Sequence, residues 1–289
     1  MAAFQTAAII GKFSRREDAG QLRDLAAFLL QRGLSLLVET HTHETIGDPA
    51  LTTADFARIA AEADIAIVVG GDGTLLSVGR SLAGSGVPLV GVNRGRLGFT
   101  TDIALDDMLP ALSRILEGLY HPEDRTMMRA LLSRRDRPVQ ESLAFNDVVA
   151  SRGVQGGMIE FQVFVDGQFA YELRADGLIV ATPTGSTAYA LSSGGPIVHP
   201  SVAGLTMVPV SPHTLSNRPI VISDRSIIEI VVLQATEGSV YFDGRDHDSL
   251  LAGDRLEIGI HPHPVRLLHP TDYSYYRTLR EKLGWSGAL

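Results

Sequence analysis

Residues 65–76 read Ile-Ala-Ile-Val-Val-Gly-Gly-Asp-Gly-Thr-Leu-Leu. The first five residues are typical of a buried β-strand, and the closing leucines are compatible with one face of a helix. Glycines let backbone N–H groups approach anionic oxygens closely, and the N-terminus of a helix adds a favourable dipole. The stretch therefore predicts a strand, a phosphate-binding turn and a helix, in that order.

One carboxylate, Asp72, stands among these glycines. A carboxylate repels phosphate, but it can orient or deprotonate a hydroxyl group that attacks phosphorus. The alternative is a structural turn in which Asp72 or Thr74 caps the helix and the glycines only supply unusual dihedral angles. The spacing alone leaves both interpretations open, because an isolated glycine-rich turn is weak evidence.

Strand and helix patterns alternate on both sides of this turn. Strands are predicted at residues 7–10, 34–38, 65–69 and 89–92, and helices near residues 22–30, 56–60 and 108–119. Such alternation predicts an α/β domain over residues 1–125 with a mostly parallel, Rossmann-like sheet.

The pattern changes to period two after about residue 126. Apolar residues alternate from Ile159 to Val165, and Asp166-Gly167 then predicts a tight hairpin turn. We expect a β-rich, mainly antiparallel domain over residues 126–267. The tail becomes helical again at residues 272–283, so residues 268–289 are predicted to return to the first domain.

Composition excludes several classes of protein. The chain has 289 residues, a net charge of −8 and no cysteine, so disulfides and thiolate metal sites are impossible. The negative charge argues against a nucleic-acid partner. No apolar run approaches the roughly 20 residues that span a bilayer, and no basic leader begins the chain, so we expect a cytoplasmic protein with no membrane partner. His41, His43 and Glu44 lack further ligands at convincing spacing, and we predict no protein-bound metal.

Several segments resemble known enzymes. The Gly-Gly-Asp-Gly-Thr turn is similar to a signature shared by NAD kinases, diacylglycerol-type lipid kinases and, more distantly, phosphofructokinases. Three further segments resemble the NAD kinase family specifically, and two shorter ones continue the match in the expected order. They are residues 145–149, 176–189 and 192–198, followed by 212–215 and 270–276.

This resemblance implies a function. An NAD kinase transfers the γ-phosphoryl group of ATP to the 2′-hydroxyl of the adenosine ribose of NAD, with Asp72 as general base and Mg²⁺ delivered with ATP. Assembly as a homodimer or homotetramer is also implied. A lipid kinase sharing the glycine turn and a non-catalytic dinucleotide-binding regulator are the alternatives.

The resemblance also implies a set of site residues. Asn146 can donate and accept through its amide, and Asp147 can accept hydrogen bonds from ribose hydroxyls. The family usually has Glu at the second position, so the acceptor here is about 1.5 Å nearer the backbone. The substrate-binding residues implied are Gly70, Gly71, Asp72, Gly73, Thr74, Asn146, Asp147, Arg174, Asp176, Thr187, Ala188, Tyr189, Ala190, Leu191 and Ser192.

Two positions depart from the family pattern, and two other regions keep more than one interpretation. Gly157 stands where the family often has His, and Arg245 stands where it often has Gln, so both are weaker candidates for the site. His269 is predicted at a strand end, with a solvated or hydrogen-bonded imidazole. On chemistry alone, the segment around Thr187 is equally compatible with a polar connection that caps a short helix.

Overall fold

The computed structural model describes residues 4–11, 19–95, 98–153, 157–214 and 216–285. The chain divides into two compact units, Met1–Arg125 with Pro264–Leu289, and Thr126–His263. The sequence places the start of the returning segment at residue 268. The structure places it at Pro264, because the strand Val265–Pro270 pairs along its whole length with Tyr120–Arg125.

The strands and helices are numbered along the chain. The strands are β1 Thr6–Gly11, β2 Ser35–Glu39, β3 Thr53–Ala54, β4 Ile65–Gly70, β5 Leu89–Asn93, β6 Ile103–Ala104, β7 Tyr120–Arg125, β8 Met128–Arg134, β9 Arg137–Ala144, β10 Asp147–Ser151, β11 Ile159–Val165, β12 Gln168–Ala175, β13 Gly177–Ala181, β14 Gly204–Val210, β15 Ile220–Ser223, β16 Ile228–Gln234, β17 Gly238–Phe242, β18 Asp246–Leu250, β19 Arg255–Ile260 and β20 Val265–Pro270. The α-helices are α1 Ala19–Gln31, α2 Thr40–Ile46, α3 Phe56–Glu62, α4 Asp72–Ser81, α5 Met108–Leu116, α6 Tyr189–Ser192 and α7 Tyr275–Leu283.

In the first unit, eight of the described strands form a mostly parallel sheet. Their order is β3-β2-β1-β4-β5-β20-β7, with β6 paired to β5, and the antiparallel pair is β20 with β7. The Rossmann-like α/β prediction is confirmed. The chain runs outward from β1 to β3 and then from β4 to β5 on the other side, so the strand order reverses between β1 and β4. Open α/β sheets bind ligands beyond the carboxyl ends of the strands at such a point, which is where the glycine turn leaves β4.

Helices α1 and α5 pack their apolar faces into the core of this unit. Leu22, Leu25 and Leu29 are fully buried, as their helical spacing predicts. The predicted extension of α5 to Leu119 is wrong, because the helix ends at Leu116 and Gly118 adopts a φ of 86°. Leu119 is half exposed as a result.

Sequence reasoning missed helix α2. It has only seven residues, and its N-cap is Glu39, whose carboxylate accepts hydrogen bonds from the N–H groups of His41 and Thr42. Gly47, with a φ of 69°, ends the helix. Glutamate is an uncommon N-cap and the segment has no apolar periodicity, so neither usual helix signal was present.

The second unit is a sandwich of two antiparallel sheets. The described strands give the orders β15-β14-β13-β10-β17-β18 and β12-β11-β16-β19-β8-β9. Alternate residues of both sheets, including Val148 and Phe161, meet in one apolar core. The predicted β-rich antiparallel architecture is confirmed, and Asp166 and Gly167 form the β11–β12 turn with φ angles of 52° and 74°.

The chain returns to the first unit through β20 and α7, which confirms the predicted C-terminal helix. Strand β20 runs parallel to β5 and antiparallel to β7. The Ser274 side chain caps α7 by accepting from the Arg277 N–H, and Gly284 ends the helix with a φ of 67°. No helix among the described residues is both long and apolar enough to cross a membrane.

Candidate active site

The glycine turn joins β4 to α4 as the sequence predicts. Gly71 is the N-cap of α4 and, as a glycine, makes no side-chain capping hydrogen bond, while Asp72 and Thr74 lie inside the helix. The structural alternative, in which Asp72 or Thr74 caps the helix, is therefore wrong. Thr74 instead packs on Gly70, where an added Cβ atom would lie 2.7 Å from the threonine Oγ1.

The Asp72 carboxylate turns toward the loop that follows β5. Its Oδ1 accepts four hydrogen bonds, from the N–H and hydroxyl groups of Thr100 and Thr101, at 2.8–3.0 Å. Its Oδ2 accepts one, from the Phe99 N–H at 2.8 Å. The described residues therefore fill the acceptor capacity of Oδ1. They give Oδ2 only one hydrogen bond, so Oδ2 can accept another.

The loop approaches this carboxylate so closely that it needs a glycine. A Cβ atom on Gly98 would lie 2.0 Å from Oδ1 of Asp72 and 2.3 Å from the Thr101 hydroxyl oxygen. The Gly98 N–H also donates a hydrogen bond to the Thr101 carbonyl at 2.9 Å, which joins the two ends of the loop. Gly98 is thus required by packing, since any side chain there would separate the loop from Asp72.

Asn93, at the end of β5, completes this cluster, and sequence reasoning missed it. Its amide donates to the Thr101 hydroxyl at 2.7 Å, and its side-chain oxygen accepts from the Gly95 N–H at 2.7 Å. A polar residue directly after a buried strand next to β4 was the available signal, since the carboxyl ends of neighbouring parallel strands share one edge of the sheet.

In the second unit, the turn before β10 carries Asn146 and Asp147. The Asp243 carboxylate accepts hydrogen bonds from the N–H groups of Phe145, Asn146 and Asp147 at 2.7–3.1 Å. Asp243 belongs to the β17–β18 turn and has a φ of 51°. Sequence reasoning identified only its neighbour Arg245, although an Asp-Gly pair between two strands is a turn signal.

The segment that follows β13 packs directly on this turn. The Thr182 hydroxyl donates to the Phe145 carbonyl at 2.7 Å, and the Thr182 N–H donates to the Asn146 carbonyl at 2.9 Å. A Cβ atom on Gly185 would lie 2.0 Å from the Asn146 carbonyl oxygen, so only glycine permits this approach. Two predicted site segments thus meet within one unit.

These segments enclose a cavity of about 370 Å³. It contains four of the predicted residues, Asn146, Asp147, Ala188 and Tyr189. Its full lining is Asn146, Asp147, Val149, Ser151, Ala188, Tyr189, Tyr241, Asp243 and Gly244. A cavity of this size with a few convergent polar groups is typical of a small-molecule site.

Among the residues that line this cavity, Asp147 has the most strongly shifted pKa. Its side chain makes no hydrogen bond to the described residues, and the residue is 5% exposed. Burial, together with the charge of Asp243, raises the pKa of Asp147 to about 7. The carboxyl group is therefore half protonated near neutral pH and can donate as well as accept a hydrogen bond.

Other predicted residues lie outside the cavity lining. Arg174 is exposed and pairs with Glu160 at 3.3 Å, while Asp176 pairs with Arg152 at 2.7 Å. The Asp176 carbonyl accepts a hydrogen bond from the hydroxyl of Ser151, which does line the cavity. The Arg174 and Asp176 side chains are thus engaged with protein charges.

The remaining residues of the α6 region differ in exposure. Thr187 donates its hydroxyl to the Thr184 carbonyl at 3.2 Å, which matches the structural alternative for this segment. Ala190 is buried against the outer face of β13, so its methyl group contacts protein. Leu191 is half buried and Ser192 is exposed.

The two weaker candidates are both exposed. An added Cβ atom on Gly157 would meet nothing within 4 Å. Arg245 follows the cavity residues Asp243 and Gly244 in the β17–β18 turn. Within the described part of the chain, no group of three or more His, Asp or Glu side chains could hold a metal ion.

The first unit has a larger cavity of about 870 Å³ between α5 and α7. Asp102, Arg114, Asp272 and Tyr273 contribute to its lining, and it contains none of the predicted site residues. Volume alone therefore does not identify the site, and the chemistry of the lining residues must decide.

Family models and curated relatives match nearly the whole chain. A model of the ATP-NAD kinase N-terminal domain matches residues 8–120, and one of the C-terminal domain matches residues 145–269. The NAD kinase of Aromatoleum aromaticum is 49% identical over 98% of this chain and 95% of its own length. The NAD kinase of Thiobacillus denitrificans is 46% identical over 99% of both chains.

Solved structures share the fold. A yeast NADH kinase, solved with NADH, superposes with a TM-score of 0.90 at 24% identity, covering 100% of this chain and 92% of that one. An NAD kinase from Archaeoglobus fulgidus, solved with ATP, has a TM-score of 0.74 at 24% identity, covering 98% and 100%. At 24% sequence identity, these two structures show that the fold is shared and nothing further.

The fold, the glycine turn and these matches define an enzyme of the phosphotransferase class that uses an alcohol group as acceptor. The matches favour neither the lipid-kinase alternative nor the non-catalytic regulator. The chain belongs to the NAD kinase family.

Proposed function

We propose that this chain transfers the γ-phosphoryl group of ATP to the 2′-hydroxyl of the adenosine ribose of NAD, giving NADP and ADP. The observation that carries the proposal is the Asp72 carboxylate, held in one orientation by five hydrogen bonds at the carboxyl end of β4. A general base must be oriented before it can act, and this one is oriented while its Oδ2 accepts a single hydrogen bond from the described residues.

In the proposed step, the ribose 2′-oxygen forms a bond to the γ-phosphorus. The bond from that phosphorus to the β–γ bridging oxygen breaks, and ADP leaves with the bonding electrons. The proton of the 2′-hydroxyl passes to Oδ2 of Asp72. Because phosphoryl transfer needs little covalent help from a protein, positioning and electrostatics supply most of the acceleration.

The N-terminus of α4 supports binding of the phosphates. Its N-cap, Gly71, has no side chain, and Gly71 and Gly73 leave its backbone open to an anion. We propose that Mg²⁺ enters with ATP, because the described residues offer no cage of carboxylates and Mg²⁺ is commonly held by one or two carboxylates and the substrate phosphates. Bound there, the ion would neutralise phosphate charge.

The cavity of the second unit suits the adenosine half of NAD. Asn146 offers two donors and an acceptor, and the half-exposed ring of Tyr189 offers a flat apolar surface. Asp147 has no partner for its side chain among the described residues, so ribose hydroxyls can supply one. The predicted cytoplasmic location and the predicted homo-oligomeric assembly stay predictions.

A direct assay tests the proposal. Purified full-length protein is incubated with ATP and Mg²⁺ and with NAD, NADH or diacylglycerol vesicles, and the products are separated by chromatography. We expect NADP from NAD and no phosphorylated lipid. Formation of phosphatidic acid without NADP would overturn the proposal in favour of a lipid kinase. Binding of NAD with no product would identify a regulator.

A further inference from the structure

The loop that holds Asp72 is itself held by a buried network of charges. Thr101 donates to the Asp72 carboxylate, and the next residue, Asp102, has a side chain that is only 6% exposed. Oδ2 of Asp102 lies 3.0 Å from Nδ1 of His269 on β20. Oδ1 of Asp102 has no hydrogen-bond partner among the described residues, so His269 is the side chain that orients this carboxylate.

The second ring nitrogen of His269 also faces a carboxylate. Its Nε2 lies 3.0 Å from Oε2 of Glu123, which accepts two further hydrogen bonds from Arg125 at 2.7 and 3.0 Å. The His269 and Arg125 side chains are at most 2% exposed. The ring of Tyr273 stacks on the imidazole at 4.0 Å and an interplanar angle of 9°. The sequence-based alternative of a solvated His269 is therefore wrong, and the hydrogen-bonded one is confirmed.

Two facing carboxylates dictate the charge state of this imidazole. A neutral imidazole donates from one nitrogen only, so its other lone pair would face a carboxylate. Burial opposes the charged form, but the hydrogen bonds to Asp102 and Glu123 outweigh burial and raise the pKa of His269. Burial likewise opposes the charge of Glu123, yet His269 and Arg125 lower the pKa of that carboxyl to about 2. Two cations thus balance two anions.

We infer that His269 is a positioning residue for Asp72, acting through Asp102 on the Gly98–Thr101 loop whose donors hold the base. This inference rests on the proposed role of Asp72. The connection is short, because Asp102 follows Thr101 directly in the chain and Thr101 supplies both its N–H and its hydroxyl to Oδ1 of Asp72. If the His269 side chain is lost, Asp102 and Glu123 lose the hydrogen-bond partner that they share. The Gly98–Thr101 loop is then no longer held in place through Asp102, the residue that follows it.

The test is a double-mutant cycle on turnover in the intact protein. His269→Gln should lower kcat about 10-fold and change the KM for NAD little, because a displaced base affects the chemical step. In an Asp72→Asn background the same change should have almost no further effect, since the base it positions is gone. A purely structural role would lower turnover by the same factor in both backgrounds and would overturn the inference.

The pH profile supplies a second readout. The groups that face His269 are Asp102 from the loop, Glu123 and Arg125 from β7, and Tyr273 beyond β20. Because the carboxylates of Asp102 and Glu123 raise the pKa of His269, wild-type kcat should fall as pH rises through that pKa, and His269→Gln should lack this fall. An identical alkaline fall in the variant would contradict the inference.

Two further variants keep the result interpretable. Arg266→Gln removes the exposed ion pair of Arg266 with Asp124, which also joins β20 to β7, and should leave kcat unchanged. If His269→Gln fails to fold, Asp102→Ala removes the same hydrogen bond without altering β20 and should reproduce the loss of kcat. If Asp72→Asn itself keeps wild-type turnover, the proposed base is wrong. If it loses turnover and the two effects simply multiply, only the positioning role fails.

Discussion

Two aspartates in the two units have opposite surroundings. Asp72 accepts five hydrogen bonds from three consecutive residues. Asp147 accepts none from the described residues and lies beside a second carboxylate, which with burial raises its pKa to about 7. One side chain is thus fixed in orientation, and the other is left for a ligand to satisfy. The difference shows that the surroundings of a carboxyl group determine its chemistry.

The largest expected effect concerns the buried aspartate. Asp147→Asn removes the cost in folding free energy of ionising this buried carboxyl group. The pKa of Asp147 is higher in the folded state than its ordinary 3.8, so wild-type stability falls as pH rises from about 4 to about 7 and then levels off. At pH 8 the variant should be more stable by on the order of 4 kcal/mol, and at pH 4 the two should be alike.

Urea unfolding at pH 4, 6 and 8 measures this difference. Asp136→Asn is the matched control, because Asp136 is exposed in a turn of the same unit and its φ of 59° also suits asparagine. A stability difference that does not change with pH would mean that the pKa of Asp147 is the same in the folded and unfolded states, and the contrast between the two aspartates would disappear.

The next effect concerns the oriented aspartate. Asp72→Asn should lower kcat by about 100-fold or more while NAD binding is retained, because the amide cannot take up the proton. Steady-state kinetics and calorimetric titration with NAD measure the two quantities. Asp24→Asn on the exposed face of α1 is the control, and it should behave as wild type. Wild-type turnover by the Asp72 variant would refute the role of base.

A smaller effect should follow when the base is kept but its loop is displaced. In Gly98→Ala, the new methyl group would meet Oδ1 of Asp72 at 2.0 Å, so the loop must move away. We expect kcat to fall roughly 10- to 50-fold, less than for loss of the carboxylate itself. Gly20→Ala is the control, since that exposed position in α1 has nothing within 4 Å of the added atom. An unchanged kcat would show that the hydrogen bonds to Asp72 are dispensable for turnover.

Local patterns in the sequence determined the architecture of both units. Apolar runs and helical spacing predicted the parallel sheet around β4, and period-two alternation predicted the antiparallel sheets and the turn at Asp166-Gly167. These predictions succeeded because strand and helix periodicities are properties of neighbouring residues. They failed at α2, because a short helix with a Glu cap left little periodic signal, and at Leu119, because α5 ends at Leu116 and Gly118 has a positive φ.

Four of the nine residues that line the second-unit cavity were among the predicted site residues, whereas the connections of the candidate site could not be predicted. The glycine turn and the Asn146–Asp147 pair were visible as motifs, whereas their partners lie far along the chain. Asp72 meets residues 27 to 29 positions away, and Asp243 meets the Phe145–Asp147 turn across 96 to 98 positions. His269 reaches Asp102 across 167 positions.

The sequence by itself therefore determined the fold class, the glycine turn and the family resemblance of this protein. Only the tertiary structure decided that Asp72 is held by the Gly98–Thr101 loop, that Asp147 lies beside Asp243, and that His269 bridges two carboxylates. The physical reason is that these contacts depend on strand order and register. Both arise when the whole sheet assembles, and no short stretch of sequence records them.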